Sequence, residues 1–552
     1  MRRSAIFLAL LACRAFGENV EISSCEDLED ITGLLETADE KTKLSFLDNT
    51  IECDDLLTLT VDNGHKLVLT DDGKDEVTLK NIRFEIVEGK ITVENKLTMK
   101  DTNGSSGTSG GALLVDGDNS EAVFEERAVF KDIQGFDSGG ALRILSAGQV
   151  TFKQEATFKR LETTDGGGAI AISGGSTLTF RGDAVFEDNK ADEEGGAMAA
   201  RSSEVTFRAD AEFTDNESGV SGGAINGIDA TFIFKEDVAF TGNKAVDNGG
   251  AFLGFNSIFT FEGDAVFEDN KTTEVGGAIN GSGLTLTFEE DASFTGNESE
   301  NEGGAISVRR QSQVTFNKDA EFQENKAQVG GGAIDVSSDQ AFVFNGDAVF
   351  EDNTAGTLGG AIFLSGTLNF AEDAVFTGNK AGREGGAVAV TSAGTLTFDN
   401  DAEFEDNQTR LDGGAIYVER SGTITFNGDA TFDGNKAKGD DAFGGHIFIE
   451  DSGTEIVFEE NTTVKFIDGK ADFGGALASV GGASVTVNGK AKFTDNIGRQ
   501  CGGAIATDGN GEFVEGGNSE VSFSDNNDKA LDCEDRCIGE SSGVLDGNEL
   551  CE

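Results

Sequence analysis

Pairs of adjacent glycines begin at Gly110, Gly139, Gly167, Gly195, Gly222, Gly249, Gly276, Gly303, Gly331, Gly359, Gly385, Gly413, Gly444, Gly474 and Gly502, spaced 26 to 31 residues apart. No other property of the chain restricts its fold so tightly. Two further motifs keep phase with the glycines, a Leu-Thr-Phe-like piece and an Ala-Val-Phe-like piece, as in Thr287-Phe288 and Ala292-Ser293-Phe294. All three pieces are short and bounded by Gly, Asp and Asn, which marks strands separated by turns. The period contains no helical pattern, and the framework of a leucine-rich repeat is missing. Three strands per period, each pairing with its counterpart one period on, predict an all-β parallel β-helix, a solenoid of about 15 coils.

In such a solenoid each repeated residue becomes a column with the strand-to-strand spacing of about 4.8 Å. Phe180, Phe207, Phe234, Phe261, Phe288, Phe316, Phe344, Phe370, Phe398 and Phe426 form one column. Phe186, Phe213, Phe240, Phe267, Phe294, Phe322, Phe350, Phe376, Phe404 and Phe432 form a second, and both are expected inside. Three residues after the second Phe come Asn189, Asn216, Asn243, Asn270, Asn297, Asn325, Asn353, Asn379, Asn407 and Asn435, and further on Asn496 and Asn526. Asn tolerates the left-handed backbone of a corner, and its amide donates to one stacked neighbour while accepting from the other, so an internal Asn ladder is expected. The residue before each Asn is Asp, Glu or Gly, and Lys190, Lys244, Lys271, Lys326, Lys380 and Lys436 follow it, which dilutes charge repulsion along that edge. Proline is absent, as suits a backbone whose N–H groups enter a ladder.

The 101 Asp and Glu against 42 Lys and Arg give a net charge of -59, which excludes the basic footprint of a nucleic-acid binder and disfavours anionic lipid. Forty-three regularly spaced Phe argue against disorder in so acidic a chain. Residues 1–17 read as a secretory signal peptide: Arg2-Arg3, an apolar run from Ile6 to Ala12, then Ala15-Phe16-Gly17. No later run has the ~18 apolar residues of a membrane span. Once Cys13 leaves with the signal, Cys25, Cys53, Cys501, Cys533, Cys537 and Cys551 remain, an even number that reads as disulfides in a secreted chain. Cys25 is expected to pair with Cys53; the last four are left in any of three pairings. Residues 18–100 read as an N-terminal cap with irregular first coils, 101–530 as the β-helix, and 531–552 as a Cys-rich C-terminal cap. The cap would open with a short amphipathic helix, since Leu28, Ile31, Leu34 and Leu35 fall three and four apart.

Gly222-Gly223-Ala224-Ile225 with Phe240-Thr241-Gly242-Asn243, and Gly359-Gly360-Ala361-Ile362 with Phe376-Thr377-Gly378-Asn379, resemble the paired tetrapeptides of the chlamydial polymorphic outer membrane proteins. The resemblance runs over roughly residues 110–526. It implies a right-handed, single-stranded β-helix of the pectate-lyase-like superfold, on a cell exterior and acting in adhesion. The sequence departs from that family after the repeats, where no amphipathic membrane barrel follows and Glu552 stands last, so outer-membrane anchoring is not carried over.

Parallel β-helices also include polysaccharide lyases and hydrolases, whose carboxylates group where a turn departs from the repeat. Here Asp and Glu recur as columns, Trp is absent, and Tyr417 is the single tyrosine, so no catalytic, cofactor-binding or metal-ligating residues are assigned. His65 and His446 are expected to be structural; His446 replaces Ala after Gly444-Gly445, in the longest spacing. Of the Asn-x-Ser/Thr sequons, those at Asn216, Asn270, Asn297 and Asn407 belong to the ladder, leaving Asn103, Asn280 and Asn461 as glycosylation candidates. An outward row of Thr151, Thr179, Thr206, Thr260, Thr287, Thr315, Thr397 and Thr425 suggests an ice- or mineral-binding face, but Ile233, Val343 and Asn369 interrupt it. The expected protein is secreted or at the cell surface, acidic and non-enzymatic. Its role is adhesive or structural, its partners extracellular glycans, cell-surface proteins or divalent cations, and it needs no cofactor beyond weak surface Ca²⁺. A polysaccharide-active enzyme is the alternative.

Overall fold

The computed structural model describes residues 19–32, 35, 41–71, 73, 76–105, 107–508, 510–517 and 519–528. The expected signal peptide, Leu34, and Cys533, Cys537 and Cys551 of the expected C-terminal cap lie outside these residues. The chain divides into two compact units, Met1–Val238 and Ala239–Glu552. Each is a parallel β-solenoid in which strands pair with the like strand one coil on, in register apart from local shifts after Glu52, Ile133 and Ala471. In the first unit Phe152 aligns with Phe180, and Phe180 with Phe207; in the second Phe288 aligns with Phe316, and Phe316 with Phe344.

The units together hold about 18 coils, more than the 15 that the glycine pairs mark. The surplus lies before Gly110, where Lys41–Phe46, Lys66–Asp71 and Lys90–Val93 already stack in register. Alternating apolar residues are sufficient to form a coil there without the glycine corner. The single helix among the described residues is Cys25–Asp30, shorter than the apolar spacing predicts. Ser24 and Asp27 form a reciprocal capping box at its start. Leu28, Ile31 and Leu35 are buried, and Cys25 is joined to Cys53 by a disulfide. Cys501 is disulfide-bonded as well. His65 is buried, with Nε2 3.0 Å from Thr42 Oγ1.

The glycine pair is required by close approach. Gly276 has φ +69, and a Cβ there would stand 2.1 Å from the Ile279 carbonyl oxygen; one on Gly277 would stand 1.9 Å from the Gly304 oxygen. No side chain is tolerated at either point without moving backbone.

Inside, the two Phe columns run face to face along the axis. Phe261 and Phe288 stack at 4.8 Å with an 8° interplanar angle, and Phe288 and Phe316 at 4.6 Å and 7°. Nearly parallel rings at this separation fall within the range of offset stacking, one of the two arrangements that aromatic pairs prefer. Here the coil rise imposes the parallel arrangement, and each ring adds an edge contact from the other column, as Phe288 does with Phe294 at 5.9 Å and 85°.

The Asn ladder closes the neighbouring corner. The backbone N–H and Nδ2 of Asn297 both donate to Asn325 Oδ1, at 3.0 Å each, and Nδ2 also donates to the Phe267 carbonyl at 2.9 Å. The pattern repeats through Asn325, Asn353, Asn379 and Asn407 to Asn435, and in the first unit from Asn189 to Asn216. These amides are buried, so a donor left unpaired would cost the full desolvation penalty.

The ladder has one exception. Lys436 pairs with Lys470, which places Gly469 in the slot that Asn occupies elsewhere. His446 fills the vacated space. Asn435 Nδ2 donates to His446 Nδ1 at 3.0 Å, and His446 Nε2–H donates to Asn496 Oδ1 at 3.2 Å, so the neutral ring carries the chain of donors and acceptors across the gap. Complete burial pulls the imidazole pKa down to about 3.

On the exterior, lysines manage charge in two ways. Lys380 and Lys436 reach the corner carboxylates Asp352 and Asp406 of the preceding coil at 3.2 and 3.3 Å. Lys190 and Lys271 instead pair within their own column, with Glu217 and Glu298 at 3.1 and 2.9 Å. Such exposed pairs add little stability; their effect is to keep like charges from facing one another.

Two outcomes follow from this packing. Phe288→Ala removes a ring contacted on both faces and is expected to cost ~3–5 kcal/mol in urea unfolding. His446→Ala is expected to cost about 2–4 kcal/mol at pH 7 from the cavity and two lost hydrogen bonds. Because the folded pKa lies below the ordinary value of 6.5, the unfolded chain binds a proton that the folded chain refuses between those values. The parent therefore loses stability as pH falls below 6.5, and the gap between parent and variant should narrow by about 2 kcal/mol from pH 7 to pH 5.

Candidate functional site

The middle residue of the Gly-Gly-Ala-Ile-x-Val strand faces away from the core, since Ile416 and Val418 on either side of Tyr417 point inward and are fully buried. In the second unit this outward column runs Ser307, Asp335, Phe363, Ala389, Tyr417, Phe448, Ala478 and Ala506 in unbroken register. It is nonetheless largely buried, because Leu358, Phe443, Phe473 and Val480 from the flanking turns pack over it. Phe443 occupies the slot just before a glycine pair, which Asp412 holds one coil earlier and Phe473 one coil later. Phe443 stacks on Phe473 at 4.8 Å and tilts against Phe448 at 5.5 Å; Tyr417 and Phe448 lie 5.9 Å apart.

Carboxylates border this aromatic floor. Glu384 and Asp412 are the residues just before two glycine pairs, while Glu419 and Glu450 follow the strands Ile416–Val418 and Ile447–Ile449. The Tyr417 hydroxyl donates to Glu450 Oε1 at 2.6 Å, Thr391 Oγ1 to Glu419 Oε1 at 2.8 Å, and the Phe443 N–H to Asp412 Oδ1 at 2.8 Å. Arg383 and Arg420 stand at the rim, 3.6 Å from Glu384 and 3.3 Å from Glu419. Their side chains are 60% and 65% exposed, whereas those of Glu384 and Glu419 are only 17% and 14% exposed.

Burial shifts these groups. Asp412 is raised to about 6 by desolvation, with the charges of Glu384 and Glu450 adding to it against the Phe443 N–H. Glu384 is raised by burial and by Glu419 and Glu450, against Arg383. The Tyr417 hydroxyl is pushed up by burial and by its hydrogen bond to Glu450. Farther along the column Asp335, fully buried, is raised to about 7 by desolvation and by Glu302. Ser307 Oγ donates to Asp335 Oδ2 at 2.9 Å and Ser337 Oγ to Oδ1 at 3.3 Å; Arg309 Nε lies 4.0 Å away. The strip can therefore accept hydrogen bonds, exchange protons near neutrality and receive a cation.

Treating Asp and Glu as solvated columns hides this group. The signal that finds it is the outward position itself, where Asp335, Phe363, Tyr417 and Phe448 bring an acid and three rings into a column that elsewhere holds Arg143, Ala171, Ala199, Asn226, Leu253, Asn280 and Ala389. A second feature also escapes the motif reading, an Asp immediately before the Ala of the third strand. Asp319 Oδ1 accepts from the Asp347 N–H at 3.0 Å, Asp347 from Asp373 at 3.2 Å and Asp401 from Asp429 at 2.9 Å, beside a cleft of about 490 Å³. Those carboxylates are exposed. Among the described residues no group of three or more His, Cys, Asp or Glu is arranged to hold a metal ion.

The glycosylation candidates separate. Asn103 and Asn461 are exposed, whereas Asn280 is buried at 8% exposure and its Nδ2 donates to the Ser307 carbonyl at 3.3 Å. The ladder sequons Asn216, Asn270, Asn297 and Asn407 have buried side chains whose Nδ2 groups already donate to backbone carbonyls.

Fold and surface together define a parallel β-solenoid built on a tandem Phe-x-x-Asn/Gly-Gly-Ala-Ile repeat. A family model of the Chlamydia polymorphic membrane protein repeat matches residues 291–309 and 347–365. Each matched stretch begins at the Asp before a third strand and runs through the next glycine pair, so the likeness is to the coil unit itself and resembles the repeat region of those proteins. No curated protein and no solved structure matches the chain.

The buried carboxylate gives a signed expectation. Asp335 has a folded pKa above its unfolded value, so its protonated form is favoured and the stability it contributes is present below pH ~4 and lost as pH rises through 7. Asp335→Asn should therefore gain on the parent by about 2–4 kcal/mol between pH 4 and pH 8 in urea unfolding.

Proposed function

We propose that this protein is displayed outside the cell as a non-enzymatic adhesive or structural solenoid, and that it meets its partner through the aromatic–carboxylate strip of the second unit. The observation that carries this reading is the strip itself: a cluster of Tyr417, Phe448 and Phe473 on the outward side of the strands, with Phe363 and Phe443 half-buried beside it and carboxylates at its border, while the core columns beneath keep their period. The matched repeat supports placement at a cell surface or outer membrane, because its family is one of membrane proteins. Among the described residues no helix is long and apolar enough to cross a membrane.

A polysaccharide-active enzyme is the second reading, favoured by Asp412 and Asp335, whose pKa values of about 6 and about 7 suit proton transfer. Both readings meet one experiment. Purified protein is screened against immobilised cell-surface extracts and glycans, with reducing or unsaturated sugar ends followed in parallel. Saturable binding without sugar release is expected, and Glu384→Gln/Asp412→Asn/Glu450→Gln should weaken it at least about tenfold. Catalytic sugar release from an acidic polysaccharide would replace the adhesive reading with the enzymatic one.

A further inference from the structure

We infer that the strip between Glu384 and Glu450 binds a cationic, arginine-rich segment of a partner protein; the inference rests on the adhesive reading above and names the chemistry of the partner. The argument is one of charge and shape. Glu384, Asp412, Glu419 and Glu450 fall within three successive coils, a length of about 10 Å along the axis. Arg383 and Arg420 pair with two of them, and both lie outward at the rim. Glu450 and Asp412 are held instead by a tyrosine hydroxyl and a backbone N–H. Negative charge is thus concentrated in a recess where water solvates it poorly and the pairing from the rim is partial.

The floor narrows the class of occupant. Phe363 and Phe443 are half-buried and present apolar surface beside the carboxylates. A guanidinium offers a planar fork to a carboxylate and a flat face to a ring, which a compact ammonium does not. An acidic polysaccharide or an anionic membrane is repelled by the same charges. A divalent ion would need converging ligands, and no such group occurs among the described residues. The exposed Asp column at Asp319, Asp347 and Asp373 serves as an internal contrast, since it has similar charge density without recess or aromatic floor.

The groups facing one another in the strip also predict what binding does to protons. Glu384 faces Arg383, Glu419 and Glu450; Asp412 faces the Phe443 N–H, Glu384 and Glu450; Tyr417 faces Glu450, Glu419 and Glu384. Part of this set holds protons near pH 6, and an incoming guanidinium favours the ionised form, so association releases protons at pH 6 and none at pH 8.

The test is isothermal titration calorimetry of the full chain with a hexa-arginine peptide, at pH 6 and pH 8, in buffers of different ionisation enthalpy. The expected result is a saturable site with proton release at pH 6. Glu384→Gln/Asp412→Asn should weaken it at least about tenfold, and Asp319→Asn/Asp347→Asn, which removes the same charge, less than about twofold. Hexa-lysine should bind more weakly than hexa-arginine. Arg383→Gln/Arg420→Gln changes two largely exposed side chains and should tighten binding about threefold, which keeps the proposal testable if the carboxylate variant fails to fold. Equal weakening by the two acidic-residue variants, or no proton release at pH 6, would reduce the interaction to general attraction of a polycation and overturn the inference. If Glu384→Gln/Asp412→Asn still binds cell surfaces, the adhesive reading survives without this site. If the parent binds the peptide and no cell surface, the site survives and the adhesive reading does not.

Discussion

Everything in these solenoids follows from hydrogen bonding between one coil and the next at the spacing of parallel strands. That ladder makes residues some 28 positions apart into nearest neighbours, so the environment of a side chain is set chiefly by copies of itself. An apolar residue gains from such company, and Phe gains most, because stacking along the axis is combined with an edge contact from the adjoining column. A buried amide gains too, since Asn is both donor and acceptor, and a chain of amides pointing one way polarises along its length. A carboxylate loses, and each acidic column accordingly shows a device that offsets repulsion: interleaved glycine, a lysine from a neighbouring coil, or a backbone N–H accepted from the next turn.

The same logic explains how a defect is tolerated. Where Gly469 stands in the Asn slot, its backbone N–H still donates to Asn496 Oδ1 at 2.9 Å, but the side-chain link is missing and one Nδ2 hydrogen of Asn435 would be orphaned. His446 enters from a different strand and supplies the link with one neutral ring. The strand that carries His446 inward continues to Phe448 and Glu450, whose side chains belong to the outer strip. The longest spacing in the array therefore coincides with departures on both faces of one strand: a repaired ladder inside, and an aromatic recess edged by carboxylates outside.

How far the sequence spoke can be judged at particular residues. The strand positions, both Phe columns and the Asn column are legible because each is repeated, and a feature seen in many coils needs no tertiary knowledge to be placed. The coils before Gly110 were harder, since without the glycine pair their phase is carried only by alternation in stretches such as Lys66–Asp71. The short helix has its C-cap at Ile31, although the apolar spacing continues to Leu35, because spacing alone does not mark where the backbone leaves the helix. The strip is hidden for a different reason. Asp412 and Glu384 are two acids among 101, and nothing in their local sequence separates a solvated carboxylate from one lowered into an aromatic recess.

By itself the sequence determined the period, the Phe and Asn columns and hence the parallel β-solenoid, because stacking in register is a rule about residues that repeat. Only the tertiary structure decided which outward residues are covered by the turns beside them, which carboxylates share a desolvated space, that Asn280 is enclosed, and that His446 substitutes for a missing Asn. These depend on single coils departing from their neighbours and on atoms brought together from different strands. A periodic pattern states what is common to all turns of such a molecule, whereas the candidate site is made of what is particular to three of them.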